Sequence, residues 1–140
     1  MRELEHYFKG LADQSRLRIL NLLLHGELCV CDIHYVLETS QPNTSRHLTY
    51  LKNAGLILDR REGTRIYYRL AHPDEEVHKL LFALLRSVFH RSETLVADSR
   101  KLKKAIETGS CTISEWKPYS ALARPLGASS QKIQKATSGQ

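Results

Sequence analysis

The sequence lacks any hydrophobic run long enough to cross a membrane. Its longest uninterrupted apolar stretch is residues 80–85, whereas a transmembrane helix needs about 20 apolar residues. The first residues include the charged side chains Arg2, Glu3 and Glu5, and the apolar segment of a secretory signal does not follow them. We therefore expect a cytoplasmic protein that has no membrane partner.

Cysteine is scarce, with only Cys29, Cys31 and Cys111 in 140 residues. Three cysteines cannot all pair within one chain, and without an export signal we expect reduced thiols. A single residue separates Cys29 from Cys31, a spacing that suits one shared ion better than a structural disulfide.

Recognisable enzyme motifs are also missing from the sequence. It has no phosphate-binding loop, no zinc-hydrolase motif and no Ser-His-Asp order of a hydrolase. So small a helical chain also offers no obvious substrate cleft. We therefore expect a protein that is not an enzyme and that carries no organic cofactor.

The composition is that of a globular protein, with 41% hydrophobic and 26% charged residues, and the net charge is +6. Residues 117–140 contain four basic and no acidic side chains, so they contribute +4 and the first 116 residues only +2. That tail has no apolar periodicity and is rich in Pro, Gly, Ser and Ala. We expect one domain at residues 1–108 and a partly or wholly disordered C-terminal extension at residues 109–140.

Hydrophobic spacing predicts helices over residues 2–11 and from Asp13 to Gly26, and then a short extended piece at residues 28–30. Cys31 and Asp32 are predicted to open a third helix, with Ile33, Val36 and Leu37 directed inward. Ser40, followed by proline in the first turn, predicts a fourth helix that ends near Ala54.

A β-hairpin is predicted for residues 58–62 and 65–70 because these segments alternate around Gly63 and Thr64. A long last helix is predicted from Pro73 to about Ile106, and its broad apolar surface favours a dimer interface. The order of these elements predicts a mainly α fold with a small β-hairpin, of the winged helix-turn-helix type.

The fourth helix and the hairpin form the predicted DNA-binding segment. Residues 42–69 contain six Arg or Lys and only two acidic residues, a local basic patch that suits a polyanion. Asn and Gln can read adenine, Arg can read guanine or bind phosphate, and Ser and Thr suit either role. The candidate DNA contacts are Ser40, Gln41, Asn43, Thr44, Ser45, Arg46 and His47 on the helix and Arg61 and Arg65 near the hairpin tip.

Several motifs resemble one known family. They are SQPNTSRHL at 40–48, AGL at 54–56, RREG at 60–63 and YYRL at 67–70, with FKGLAD at 8–13 and RLRIL at 16–20. Over about residues 4–105 the chain resembles the ArsR–SmtB family of metal-sensing repressors. The resemblance implies a homodimeric repressor that pairs through its first and last helices and leaves its double-stranded operator DNA when an inducer binds.

Cys29 and Cys31 are the candidate inducer ligands. In an extended segment they project to the same side, and a helix N-terminus beside Cys31 is expected to lower its thiol pKa. The segment is close to the arsenite-binding motif of the family's arsenical branch, so arsenite or antimonite is the expected inducer. The family's third cysteine is replaced here by His34, and imidazole is a poor ligand for arsenic and a good one for zinc. The third ligand stays open between Cys111, contributed by either subunit, His34 and a non-protein group.

Three alternatives stay open, and one of them is a winged-helix repressor that has no effector and whose thiols are vestigial. The thiols could form a redox sensor, since Cys29 and Cys31 could oxidise or pair with Cys111. The chain could instead be a zinc- or cadmium-sensing winged-helix repressor. The family's zinc site resembles the surroundings of His78 and His90, but these residues are one position further apart than in the family. We therefore expect them to be solvated helix histidines.

Overall fold

The structure, a computed structural model, describes residues 1–108, so Cys111 and the predicted disordered extension lie outside the described residues. The described chain folds into six helices and a three-stranded sheet. In chain order they are α1 (Arg2–Leu11), α2 (Gln14–Leu23), β1 (Leu28–Cys29), α3 (Val30–Leu37), α4 (Gln41–Asn53), β2 (Ile57–Glu62), β3 (Arg65–Leu70), α5 (Glu76–Phe89) and α6 (Glu93–Glu107).

Side-chain caps start the helices where the sequence predicts them. The Asp13 carboxylate accepts a hydrogen bond from the backbone N–H of Arg16 at 3.0 Å and so begins α2. The Ser40 hydroxyl accepts from the backbone N–H of Asn43 at 3.3 Å and begins α4. Gly55 follows α4 with a φ of 81°, a left-handed conformation that glycine adopts without steric cost.

The sheet connects the cysteine segment to the hairpin. Its strand order is β1-β3-β2, and both pairs of strands are antiparallel. The predicted hairpin is confirmed, with Gly63 in the turn at a φ of 61°. β1 adds to the free edge of β3, where Leu28 pairs with Tyr68 and Cys29 with Tyr67. The sheet therefore fixes Cys29 beside the hairpin.

The hydrophobic core lies between α2, α3, α4 and the sheet. The predicted inward residues Ile33, Val36 and Leu37 of α3 are buried, as are Leu48 and Leu51 of α4. Because α3 and α4 pack on each other through these side chains, α4 has a fixed position above the core, with its polar side outward.

The predicted long last helix is wrong, because the structure divides it at residues 90–92. The hydroxyl of Ser92 accepts from the backbone N–H of Leu95 at 3.3 Å and starts α6 as a separate helix. α6 then packs on α2. There the Arg18 guanidinium donates two hydrogen bonds to the Asp98 carboxylate at 2.7 and 2.9 Å, and the Asn21 amide donates to the carbonyl of Leu95 at 3.0 Å.

Large apolar side chains remain exposed on α1 and α5, in a set that we call the apolar stripe. Its members recur every three or four residues along each helix, so they share one face of it. They are Leu4 and Phe8 on α1 and Val77, Leu80, Leu84 and Val88 on α5. The α5 part of the stripe thus belongs to the first part of the predicted last helix, whereas α6 packs on α2 of its own protomer. Within residues 1–108, no helix is long and apolar enough to cross a membrane.

Candidate DNA interface and thiol site

The exposed side of α4 carries part of the predicted DNA-reading set. Gln41 and Arg46 are exposed, and Asn43 is half-buried. The Asn43 amide donates to the hydroxyl of Thr39 at 2.9 Å, and its oxygen accepts from the Arg46 guanidinium at 2.5 Å. These bonds hold Asn43 and Arg46 side by side near the N-terminus of α4, where the helix dipole favours a phosphate.

The structure corrects the prediction for Thr44. This side chain is fully buried, so it cannot contact DNA; its inward position follows the spacing of Leu48 and Leu51. His47 and Ser45 are half-buried, and His47 Nδ1 lies 3.7 Å from the Asp13 carboxylate that caps α2. The Ser40 hydroxyl is used as the cap of α4.

The β2–β3 hairpin, residues 57–70, forms the wing. Arg61 and Arg65 are exposed near its tip, as predicted. Arg60 is also exposed, but Glu27 and Glu62 accept hydrogen bonds from its guanidinium at 2.7 and 2.8 Å. Arg60 therefore holds the wing to the segment before β1 and is not an unpaired cation available for DNA.

Cys29 and Cys31 form a pair, which we call the thiol pair, at the start of α3. Their sulfur atoms are 2.7 Å apart. Asp32 lies beside them: its Oδ2 accepts from the backbone N–H of Cys29 at 3.3 Å, and its Oδ1 is 4.0 Å from the Cys31 sulfur. The ligand atoms of these three residues lie within 4.8 Å of one another, so the described chain presents a group that could hold a metal ion.

The sequence interpretation missed Asp32 as a member of this site. The signal was available, since Cys29 and Asp32 stand three residues apart at a helix start, the spacing of a capping box. The Cys29 side chain accepts from the backbone at Asp32 while the Asp32 carboxylate accepts from the backbone of Cys29. Serine or threonine is the usual residue in this position, which is why a cysteine cap is easily overlooked.

The structure also corrects the predicted state of Cys31. Cys29, which is buried, is the N-cap of α3, and Cys31 lies exposed inside the first turn. Partial burial of its sulfur and the hydrogen bond with Cys29 raise the pKa of Cys31 to about 11, against the predicted lowering. Cys31 is therefore protonated at neutral pH, and a bound ion must displace its proton.

The histidines near the predicted metal sites differ in how exposed their side chains are. His34 is half-buried on α3 and lies outside the three-residue metal group of the described chain. His90 is exposed after α5, as expected, but His78 is 1% exposed, so its predicted solvation is wrong. His78 Nε2 lies 3.0 Å from the carbonyl oxygen of Gly55, within hydrogen-bond distance.

Two helices joined by residues 38–40, with a polar outer face on the second, are followed directly by a hairpin that exposes arginines. This arrangement is that of a winged helix-turn-helix DNA-binding domain, in which α4 is the recognition helix. A family model described as "Bacterial regulatory protein, arsR family" matches residues 13–58. The chain belongs to this arsR family of bacterial regulatory proteins.

Sequence similarity to two regulators supports the family assignment. The chain is 46% identical over 97 residues to the arsenic resistance transcriptional regulator ArsR1 of Pseudomonas putida, covering 68% of this chain and 73% of the relative. It is 42% identical over 92 residues to the arsenical resistance operon repressor of Bacillus subtilis, covering 65% of this chain and 86% of the relative.

Solved structures support the fold assignment. The homodimeric winged helix-turn-helix domain of a possible ArsR-family regulator from Mycobacterium bovis superposes with a TM-score of 0.55 at 41% identity, covering 61% of this chain and 77% of that domain. HlyU from Vibrio cholerae superposes with a TM-score of 0.56 at 32% identity, covering 62% of this chain and 91% of HlyU. The predicted fold class is thus confirmed.

Proposed function

We propose that this protein is a homodimeric transcriptional repressor that binds double-stranded operator DNA and releases it when trivalent arsenic or antimony binds Cys29 and Cys31. The observation that carries the proposal is the thiol pair, which caps and opens the helix directly beneath the recognition helix. The names of the relatives, which refer to arsenic resistance, support this inducer.

The ligand chemistry favours a soft, thiophilic centre. Two thiolates suit trivalent arsenic or antimony, and the adjacent sulfurs can bind one such centre without large movement of the backbone. Asp32 oxygen is close, but it caps the N–H of Cys29, and its use as a ligand would break that bond. The third ligand is therefore proposed to be Cys111 or a non-protein group.

Coordination would disturb the first turn of α3. The Cys29 sulfur accepts the capping hydrogen bond of that turn, and a bound centre would compete for the same sulfur. Ile33 and Leu37 extend from α3 into the core that also holds Leu48 of α4. A shift of α3 would therefore tilt α4 and change the spacing of the two recognition helices in a dimer.

The dimer is proposed to form through the apolar stripe on α1 and α5. Exposed leucine, valine and phenylalanine side chains on adjacent helices cost free energy in water, and a second copy would bury them. The two recognition helices would then reach successive major grooves. We expect an operator that is an inverted repeat with half-sites about one helical turn apart.

One observation favours a second candidate function, a redox switch. The Cys29 and Cys31 sulfur atoms are direct neighbours, and both thiols are free. Oxidation of the two thiols could therefore also change the first turn of α3.

Release of operator DNA separates the two functions. An operator obtained by selection from random duplexes is labelled, and its binding is followed by fluorescence anisotropy in a phosphine reductant. Arsenite and antimonite should release the DNA, whereas Zn²⁺ and Cd²⁺ should not. Peroxide, added to a sample without reductant, should not release it either. Failure of both metalloids would contradict the proposal, and release by peroxide alone would favour the redox switch.

A further inference from the structure

An open groove of about 890 Å³ runs along α6, between the ends of α2 and α5. Its lining includes no residue of the thiol pair, of α4, of the wing or of the apolar stripe. A groove of this volume can accommodate several side chains of another segment. The large apolar side chains that line it are Leu24, Phe89, Leu95, Val96, Leu102 and Ile106.

α6 forms one wall of the groove over nearly its whole length. The lining positions recur along this helix from Leu95 to Glu107, so one face of α6 borders the groove from its first turn to its last. Twelve residues of helix rise by about 18 Å. The groove therefore extends to the end of α6, and the chain continues into residue 109 at that end.

Residues 109–116 have the length and the starting point that are needed to enter this groove. Gly109 follows Thr108, the C-cap of α6, at the position where glycine favours a turn of the chain away from a helix. Eight extended residues cover up to about 26 Å, so the segment can reach every part of the groove. A short tether also gives an effective concentration of about millimolar, so weak contacts are sufficient for docking.

The apolar side chains of residues 109–116 suit the wall of the groove. Ile113 and Trp116 are the two bulky ones, and Trp116 is the only tryptophan in the chain. An aromatic ring buries a large area when it packs on aliphatic side chains, and that burial is favourable in water.

The charges at the groove distinguish residues 109–116 from the rest of the extension. Glu115 is the only charged residue in this segment, whereas residues 117–140 contain four basic and no acidic side chains. Opposite charges attract and like charges repel, so a groove bordered by more cations than acids favours the first segment over the second. The exposed charged residues that border it are the cations Arg86, Arg100 and Lys103 and the acid Glu107.

We propose that residues 109–116 dock in this groove of their own subunit, with Ile113 and Trp116 against its apolar wall and Glu115 among its cations. The folded domain then extends to Trp116, and the basic residues 117–140 form the extension that follows it. This inference goes beyond the proposed function and does not rest on it, because docking involves neither the operator nor the inducer.

Trp116 reports on docking directly, because no other tryptophan contributes to the fluorescence. Its emission maximum and its quenching by acrylamide are measured in the full-length protein, without DNA or arsenite. A synthetic peptide of residues 109–140 gives the values for an undocked segment. Docking removes the indole from water, so the protein should emit at shorter wavelength and its quenching constant should be at least about threefold lower than that of the peptide.

Two pairs of matched variants locate the docking site. Lys103→Glu reverses one cation of the groove and should weaken docking by a factor of about two to five, whereas Lys104→Glu makes the same change at an exposed position outside the groove and should match the wild type. Ile113→Ser changes only the segment, so residues 1–108 keep their fold, and quenching should rise towards the value of the peptide. Ile133→Ser, further along the extension, should leave quenching unchanged.

Three results would overturn the inference. Quenching of the wild type equal to that of the peptide would mean that residues 109–116 do not dock. Low quenching that neither Lys103→Glu nor Ile113→Ser raises would mean that Trp116 packs elsewhere. Docking within one subunit does not depend on protein concentration, so protection that is lost on dilution would assign the groove to the segment of a second copy.

Discussion

Arginines on the DNA-facing side differ in the partners that they already have. Arg60 is committed to Glu27, Glu62 and the ring of Tyr67. Arg46 is exposed and shares its guanidinium only with the neutral amide oxygen of Asn43 in the contacts described. A phosphate or a base can therefore bind Arg46 without first breaking an ion pair.

Replacing Arg46 by alanine should weaken operator binding by about 1–3 kcal/mol if the side chain reads a base, and sequence preference should relax. If Arg46 binds a phosphate, the loss of affinity should be the same for all DNA sequences. The slope of the logarithm of affinity against the logarithm of salt concentration should then fall by about 1. Anisotropy titrations at several salt concentrations distinguish the two, with Arg100→Ala on α6 as the matched control. Unchanged affinity would remove α4 from the DNA interface.

His25 should make the protein less stable in mild acid. Burial lowers the pKa of His25 below its ordinary 6.5, and the charge of Arg86 lowers it further. The unfolded chain therefore binds a proton at this residue more readily than the folded chain. The contribution of His25 to the free energy of unfolding is fully present above pH 6.5 and falls as the pH drops below that value.

Urea denaturation between pH 7 and pH 5 measures this effect. His25→Gln keeps a side chain that can hydrogen-bond to Ser99, which lies 3.0 Å from His25 Nε2, and the variant should lose less stability on acidification than the wild type. His6→Gln, on the exposed side of α1, is the control and should follow the wild type. Parallel curves for wild type and His25→Gln would contradict the assignment.

At the scale of elements, α6 is held to α2 by polar contacts that join residues far apart in the chain. Arg18 and Asp98 are 80 positions apart, and Asp98 is buried while Arg18 is partly exposed. Sequence periodicity predicts that both segments are helical but cannot show this pairing. The break at residues 90–92 contains neither proline nor glycine, and its one local signal is Ser92, which caps α6.

Asp98→Ala should lower the free energy of unfolding by about 2–3 kcal/mol, because a buried charged hydrogen-bond acceptor is lost and Arg18 is left without its partner. Glu5→Ala breaks the exposed ion pair with Lys9 on α1 and should leave the free energy of unfolding nearly unchanged, because solvent screens this pair. Urea denaturation of both variants checks the contrast. Equal, small losses would mean that α6 is not anchored as described.

The elements that the sequence predicted correctly have local signals. Asp13 and Ser40 cap their helices, Gly55 ends α4, and alternating residues mark the wing. Local signals were not sufficient to predict the surroundings of the thiol pair. That the Cys31 pKa is raised, and that Tyr67 is buried under Arg60, depends on strands and helices brought together by the fold.

At the scale of the whole molecule, the apolar stripe is the surface through which two copies assemble in the proposed dimer. It covers adjacent positions on α1 and α5, whereas the polar side of α4 faces solvent elsewhere on the same protomer. A dimer through the stripe leaves both recognition helices accessible. α6 instead packs on α2 of its own protomer through Arg18 and Asp98.

Leu84→Glu should disrupt the dimer because it places a charge at a position in the stripe that would be buried between copies. Sedimentation at micromolar concentration should show a monomer, and operator affinity should fall at least tenfold while the thiols still bind arsenite. Ala97→Glu, at an exposed position on α6, is the control and should stay dimeric. A dimeric Leu84→Glu protein would contradict this interface.

The central claim is that Cys29 and Cys31 receive the inducer, and the Cys29→Ser, Cys31→Ser double variant tests it most directly. Serine can still cap α3, so operator binding without arsenite should match that of the wild type. Arsenite should release labelled operator from the wild type and should have no effect on the double variant. From Cys111→Ser it should release the operator less readily if that thiol is the third ligand. Release of operator from the double variant at the same arsenite concentration as the wild type would contradict the account.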